Sequence, residues 1–130
     1  PTDYAPREDV VADADRIAQA TGGSVTLYTD PLEAAAGADV IVTDTWVSMG
    51  MEDEASTRKG ESNPFSAFSV TSELMAHAAP DAIVMHCLPA YRGFEIAADV
   101  IDGPASVVWD EAENRLHAQK ALLTFLAEHA

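Results

Sequence analysis

The stretch DVIVTDTWVSMG, Asp39 to Gly50, passes from a continuous β-branched run into a carboxylate and then into a Ser-Met-Gly turn. A run such as Val40-Ile41-Val42, with no polar alternation, is the pattern of a strand buried on both faces of a sheet. Ala82 to Met85 repeats that pattern and ends in HCLPAYRGFE, His86 to Glu95. Two such runs with helical sequence around them specify strands lying parallel, because parallel strands need covered crossovers.

Working outward, Pro6 to Thr21 reads as a helix. Pro6 suits a first turn, Glu8 and Asp9 favour the positive end of the dipole, and Gly22-Gly23 ends it. Its inward face would carry Val10, Ala14, Ile17 and Ala18. Ser24 to Tyr28 alternates as a strand does, with Val25 and Leu27 on one side. Asp30-Pro31 opens a short helix over Leu32 to Ala36, which Gly37 closes. The polar segment from Asp44 to Ser69 is too long for a plain connector and is expected to be a mobile functional loop.

Thr71 is placed to cap a helix through Ala78, and Phe94 to Ile101 predicts another, ended by Asp102-Gly103-Pro104. Ala105 to Trp109 predicts a strand. Asp110 then starts a final helix through Glu128, with Ala112, Leu116, Gln119, Leu123 and Leu126 on one stripe. The sum is an α/β fold: one domain over residues 1–130, an open, mostly parallel sheet flanked by helices in a Rossmann-like three-layer arrangement.

Composition narrows the function. The 130 residues are 48% hydrophobic, enough for one core, and carry 22 acidic against 7 basic side chains, a net charge of −15. That charge repels a phosphate backbone and an anionic bilayer, which excludes nucleic acid and membrane as partners. A single cysteine forms no internal disulfide, and no apolar run approaches the roughly 20 residues that span a bilayer. The amino terminus shows no signal-peptide pattern, so the cytoplasm is the expected compartment.

Ligands of open α/β sheets bind beyond the carboxyl ends of the strands. Three stretches lie there. In DTWVSMG, Asp44 is suited to an ammonium group, and Ser48 with the amides around Met49 to a carboxylate, as an amino acid would require. A strand-terminating Asp before a plain turn explains the same residues and takes precedence on them alone. In HCLP, the adjacent His86 and Cys87 invite a thiolate–imidazole dyad, but successive strand side chains point to opposite faces, which argues against direct pairing. One thiol and one histidine are also too few for a structural zinc site. Pro89 fixes the backbone where Cys87 and Leu88 would reach a ligand, through a peptide that is cis or trans. In DEAENR, Asp110 to Arg115, a guanidinium near the positive end of a helix suits a phosphate, with a surface ion pair as the plain alternative. Arg92 has the same two readings. His77, His117 and His129 fall on predicted helices and read as structural or exposed.

Together, DTWVSMG, HCLPAYRGFE and WDEAENRLHAQKALL, in this order, resemble the ornithine carbamoyltransferase family over nearly the whole chain, specifically its second, ornithine-binding half. The resemblance implies transfer of the carbamoyl group of carbamoyl phosphate to the side-chain amine of L-ornithine, giving citrulline and phosphate, with no cofactor and no metal. It implies ornithine binding by Asp44, Ser48 and Met49, a catalytic Cys87 beside the reacting amine, and carbamoyl phosphate contacts from Cys87, Leu88 and Arg115. It further implies a cis Leu88-Pro89 peptide and a homotrimeric full-length enzyme. The family's Ser-Thr-Arg-Thr-Arg and His-Pro-x-x-Gln motifs of the carbamoyl phosphate half are absent, since Ser56-Thr57-Arg58 continues instead with Lys59-Gly60. The chain starts where the first strand of this half has ended in the family, so the sheet is expected to lack that strand and the chain alone to be inactive. Two alternatives accompany this reading: a carbamoyltransferase for putrescine or an acylated ornithine, which the intact SMG motif opposes, and a non-catalytic amino-acid-binding module.

Overall fold

The computed structural model describes residues 1–47, Gly50, Asp53, Arg58 and 63–129. Helix α1 spans Glu8–Thr21 and stops at Gly22, whose φ of 77° is the left-handed conformation that glycine adopts without a Cβ clash. Helix α2, Pro31–Ala35, opens where the Asp30 carboxylate accepts the Leu32 N–H at 2.8 Å and Pro31 takes the first helical position. Strand β1, Val40–Thr43, follows. Helix α3, Ser72–Met75, is capped by Thr71, whose hydroxyl accepts the Leu74 N–H at 3.2 Å. Strand β2 is Ile83–His86, α4 is Ala98–Ile101, and α5 is Val108–Glu128.

The two strands pair in parallel, with Val40 opposite Ile83 and Thr43 opposite His86. On the other side of β2 the chain contributes a single bridge, Val84 to Ser106, made by Val84 N–H to the Ala105 carbonyl at 2.8 Å and Val107 N–H to the Val84 carbonyl at 3.0 Å. Ala35, Val70, Leu74, Val84, Ile96, Val100, Ile101 and Val108 form the core, with Leu32, Ile41 and Leu88 packed at its margin. Each large aliphatic side chain fully buried there stabilises the fold by about 1.5–3 kcal/mol. The core therefore sits on the α3, α4 and β2 side of the sheet, under the loop that follows β2.

The parallel α/β arrangement expected from the sequence is present, and several elements differ from expectation. Ser24 to Tyr28 has no sheet pairing among the described residues, and Val25, Leu27 and Tyr28 are exposed. Alternation gives a strand two faces, but only a neighbouring strand gives it a hydrogen-bonded edge. Val40 and Val42 are likewise exposed, Val42 at 67%, so β1 is covered on one face rather than two. The helix expected over Phe94 to Ile101 begins at Ala98, because Glu95 and Ala97 spend their backbone groups on Val70: Val70 N–H donates to the Glu95 carbonyl and Ala97 N–H to the Val70 carbonyl.

The strand expected over Ala105 to Trp109 shrinks to that one bridge because α5 begins at Val108. The helix after Thr71 ends at Met75 instead of Ala78, which leaves His77 in a turn whose carbonyl accepts the Gly37 N–H. Of the inward face expected for α1, only Ala18 is buried, and Val10 and Ile17 are exposed. Leu116, Leu122, Leu123, Phe125 and Leu126 of α5 are also exposed. Apart from Ala18, the apolar positions named on these two helices are not buried by the described residues.

One glycine closes α4 by necessity of space. A Cβ on Gly103 would stand 2.5 Å from the Asp99 carbonyl oxygen and 3.2 Å from that of Val100, both backbone atoms of the turn it ends. Gly103→Ala is therefore expected to lower stability by about 1–3 kcal/mol, read as a lower urea midpoint with an unchanged denaturant slope.

Candidate active site

The register of the sheet builds the site. Because Thr43 lies opposite His86, the next residue of each strand, Asp44 and Cys87, emerges side by side at the carboxyl ends. The Cys87 thiol donates to Asp44 Oδ1 at 3.1 Å, and the same oxygen accepts the Thr45 N–H at 2.7 Å. Both residues are exposed. The hydrogen bond to Asp44, partial burial and the Asp44 charge raise the Cys87 pKa above the ordinary thiol value, with a smaller push from Glu111. Cys87 is thus a neutral hydrogen-bond donor at neutral pH, not a thiolate nucleophile.

His86 faces the other way, as strand alternation requires, and is fully buried. Its Nδ1 accepts the Leu88 N–H at 2.9 Å, so the ring proton sits on Nε2, 3.1 Å from Glu95 Oε1. Glu95, also fully buried, accepts the Tyr91 N–H through that same oxygen at 2.6 Å. This pair braces a loop that needs bracing. Leu88 has a φ of 54°, a left-handed conformation that costs a non-glycine residue on the order of 1–3 kcal/mol, and Leu88-Pro89 is cis. Two buried acceptors thus hold the segment that presents Cys87 and Leu88.

Asp44, His86 and Cys87 each offer a ligand atom within 4.8 Å of the others. Both ring nitrogens of His86 are already engaged, by Leu88 and by Glu95, so a metal would have to displace the bond that shapes the loop.

Of the other residues singled out in the sequence, Ser48 and Met49 lie outside the described residues. Arg115 lies on α5, exposed, two turns in from its start. Arg92 is committed elsewhere: its Nε and Nη2 donate to the two carboxylate oxygens of Asp102 at 2.9 and 2.7 Å, which holds that carboxyl below its usual range. His77, His117 and His129 are exposed. At the root of the long segment after β1, Trp46 is buried against Phe65, 6.0 Å between ring centroids, and edge-on to Phe94. Arg58 Nη1 donates to the Trp46 carbonyl at 2.9 Å, over the rings of Tyr4 and Phe65.

Two residues were missed by sequence reasoning. Glu95 carried no local signal, being one acidic residue in a stretch read as helix. Glu111, whose carboxylate accepts the His86 N–H at 3.0 Å, stood inside the DEAENR stretch but was overshadowed by Arg115.

A carboxylate and a thiol at adjacent strand ends, beside a braced left-handed loop, stand where open α/β sheets generally take their ligands. Residues 1–126 match the family described as aspartate/ornithine carbamoyltransferase, Asp/Orn binding domain, and the chain belongs to that family. It is 65% identical over 126 residues to an ornithine carbamoyltransferase of Clavibacter michiganensis, covering 97% of this chain and 40% of the relative. The ornithine carbamoyltransferase of Renibacterium salmoninarum is 60% identical over 130 residues, all of this chain and 41% of that protein. The solved ornithine carbamoyltransferase of Pyrococcus furiosus superposes with a TM-score of 0.84 at 54% identity, over 95% of this chain and 38% of that one. The anabolic enzyme of Campylobacter jejuni does so at 0.89 and 38% identity, over 100% and 42%. The chain thus spans about 40% of the length of the relatives it matches.

Two measurements check this geometry. Asp44→Asn removes the largest cause of the raised thiol pKa, so Cys87 is expected to react faster with iodoacetamide at pH 7.5 and its rate profile to move to lower pH; an unchanged profile would contradict the hydrogen bond. Glu95→Ala leaves the buried His86 Nε2 without its acceptor and is expected to cost about 1–3 kcal/mol, whereas Glu95→Gln, which keeps an acceptor oxygen, costs less.

Proposed function

We propose that this chain is the ornithine-binding part of an ornithine carbamoyltransferase, a single domain whose full-length protein converts carbamoyl phosphate and L-ornithine to L-citrulline and phosphate, as in arginine biosynthesis. The observation that supports the reading is the 3.1 Å contact between Cys87 and Asp44 at the paired ends of β1 and β2, which joins the first residue of DTWVSMG to the cysteine of HCLP. The names of the relatives at 65% and 60% identity support the substrate.

In this reading the side-chain ammonium of ornithine, of ordinary pKa about 10.4, sheds a proton before its nitrogen attacks the carbamoyl carbon. Asp44 favours the charged form of a nearby amine, so it positions the side chain and does not act as the base. Ser48 and Met49 hold the amino-acid end. Cys87, kept neutral, donates toward the reacting centre, and with Leu88 it forms the wall against which the carbamoyl group rests. Charge passes from the carbamoyl oxygen to the departing phosphate, where a guanidinium such as that of Arg115 stabilises it. The remaining carbamoyl phosphate contacts come from outside this chain, and the full-length enzyme works in the cytoplasm as a homotrimer.

A transferase for an acylated ornithine has weaker support. The solved acetylornithine transcarbamylase is 32% identical with a TM-score of 0.77, below the ornithine enzymes in identity.

The full-length protein is expected to form citrulline from ornithine, with little product from acetylornithine or putrescine, and the 130-residue chain alone to form none. Asp44→Asn is expected to raise the ornithine KM roughly 10- to 100-fold, the loss of a charge-assisted hydrogen bond. Preferential carbamoylation of putrescine or acetylornithine by the full-length protein would overturn the reading.

A further inference from the structure

In a parallel ladder, residues i and i+2 turn their N–H groups toward the same neighbouring strand. Val84 N–H points to the 105–107 segment, where it finds the Ala105 carbonyl, so His86 N–H points to that side as well. Among the described residues no strand continues there to receive it, because the chain turns into α5 at Val108. Glu111, in the first turn of α5, fills the gap: its Oε2 accepts the His86 N–H at 3.0 Å. A side chain from the helix thereby occupies the position of a missing strand carbonyl, at the residue immediately before Cys87.

The same carboxylate is in register with Arg115. Residues four apart on a helix share a face, so fixing Glu111 against the end of β2 also fixes the rotation of α5 that carries Arg115. Glu111 is half-buried, whereas Ala112 through Arg115 are exposed, so among those five residues it alone is packed inward.

We propose that Glu111 is a positioning residue: its reach across to the His86 amide sets the Cys87–Leu88 loop and the Arg115 helix at a fixed mutual distance, aligning the two sides of the reaction centre. This rests on the transferase reading above. The role is one of reach rather than charge, and the two can be separated. Glu111→Gln keeps an acceptor oxygen at the same length and loses the charge. Glu111→Asp keeps the charge and falls one methylene short.

In the full-length protein, Glu111→Asp is expected to lower kcat for citrulline formation about tenfold or more, as small misplacements of reacting groups do, with ornithine KM within about threefold of wild type. Glu111→Gln should stay within about threefold of wild type in both. Hydrogen exchange at the His86 amide should quicken in the Asp variant and not in the Gln variant, a readout that needs no activity. The inference is overturned if the Asp variant keeps wild-type kcat, or if the Gln variant loses activity while the Asp variant keeps it, or if His86 exchange is the same in all three proteins. Absence of citrulline formation by the wild-type protein would instead overturn the transferase reading, and the exchange measurement would still decide whether Glu111 holds the strand end.

Discussion

The parallel pairing of Thr43 with His86 is the constraint on which the rest of the site depends. A slip of one residue would turn the side chains of one strand to the opposite face and take Asp44 away from Cys87. The register is held from both flanks. On one side Ile83 N–H donates to the Asp39 carbonyl, and on the other Val84 is bonded to the 105–107 segment. The buried Val84 and His86 point to the covered face of β2 and leave Cys87 for the open end. Chemistry at the strand ends is thus inherited from packing several residues earlier.

The loop after β2 shows how a buried polar pair substitutes for rigid backbone. Leu88 cannot hold a φ of 54° by its own preference, and no glycine stands there to ease it. His86 and Glu95 supply acceptors on either side of the turn, one to Leu88 and one to Tyr91. Such a pair costs desolvation and returns shape, a trade that is favourable where a loop must present particular atoms.

Much of this was legible in the sequence because it depends on local chemistry. The caps at Asp30 and Thr71, the stop at Gly22, the two β-branched strands and the turning apart of His86 and Cys87 all follow from residue type and spacing. What was not legible depends on partners. Ser24 to Tyr28 alternates but has no sheet pairing among the described residues, and Glu95 and Ala97 bond to the Val70 backbone instead of within a helix. That Asp44 and Cys87 follow the ends of their strands was legible, because each comes after a β-branched or apolar run. The parts played by Glu95 and Glu111 were not, since each gains its role by meeting His86, a contact that exists only once the chain is folded.

The bond between Cys87 and Asp44 also has a consequence for the durability of the protein. An exposed cysteine in an aerobic cell is open to peroxide, and the species that peroxide attacks is the anion, which proceeds to sulfenic and then to irreversible sulfinic acid. A neighbouring carboxylate that holds the thiol pKa up disfavours that anion while leaving the side chain open to solvent. The arrangement keeps the sulfur open to contact while lowering the fraction of it present as the anion.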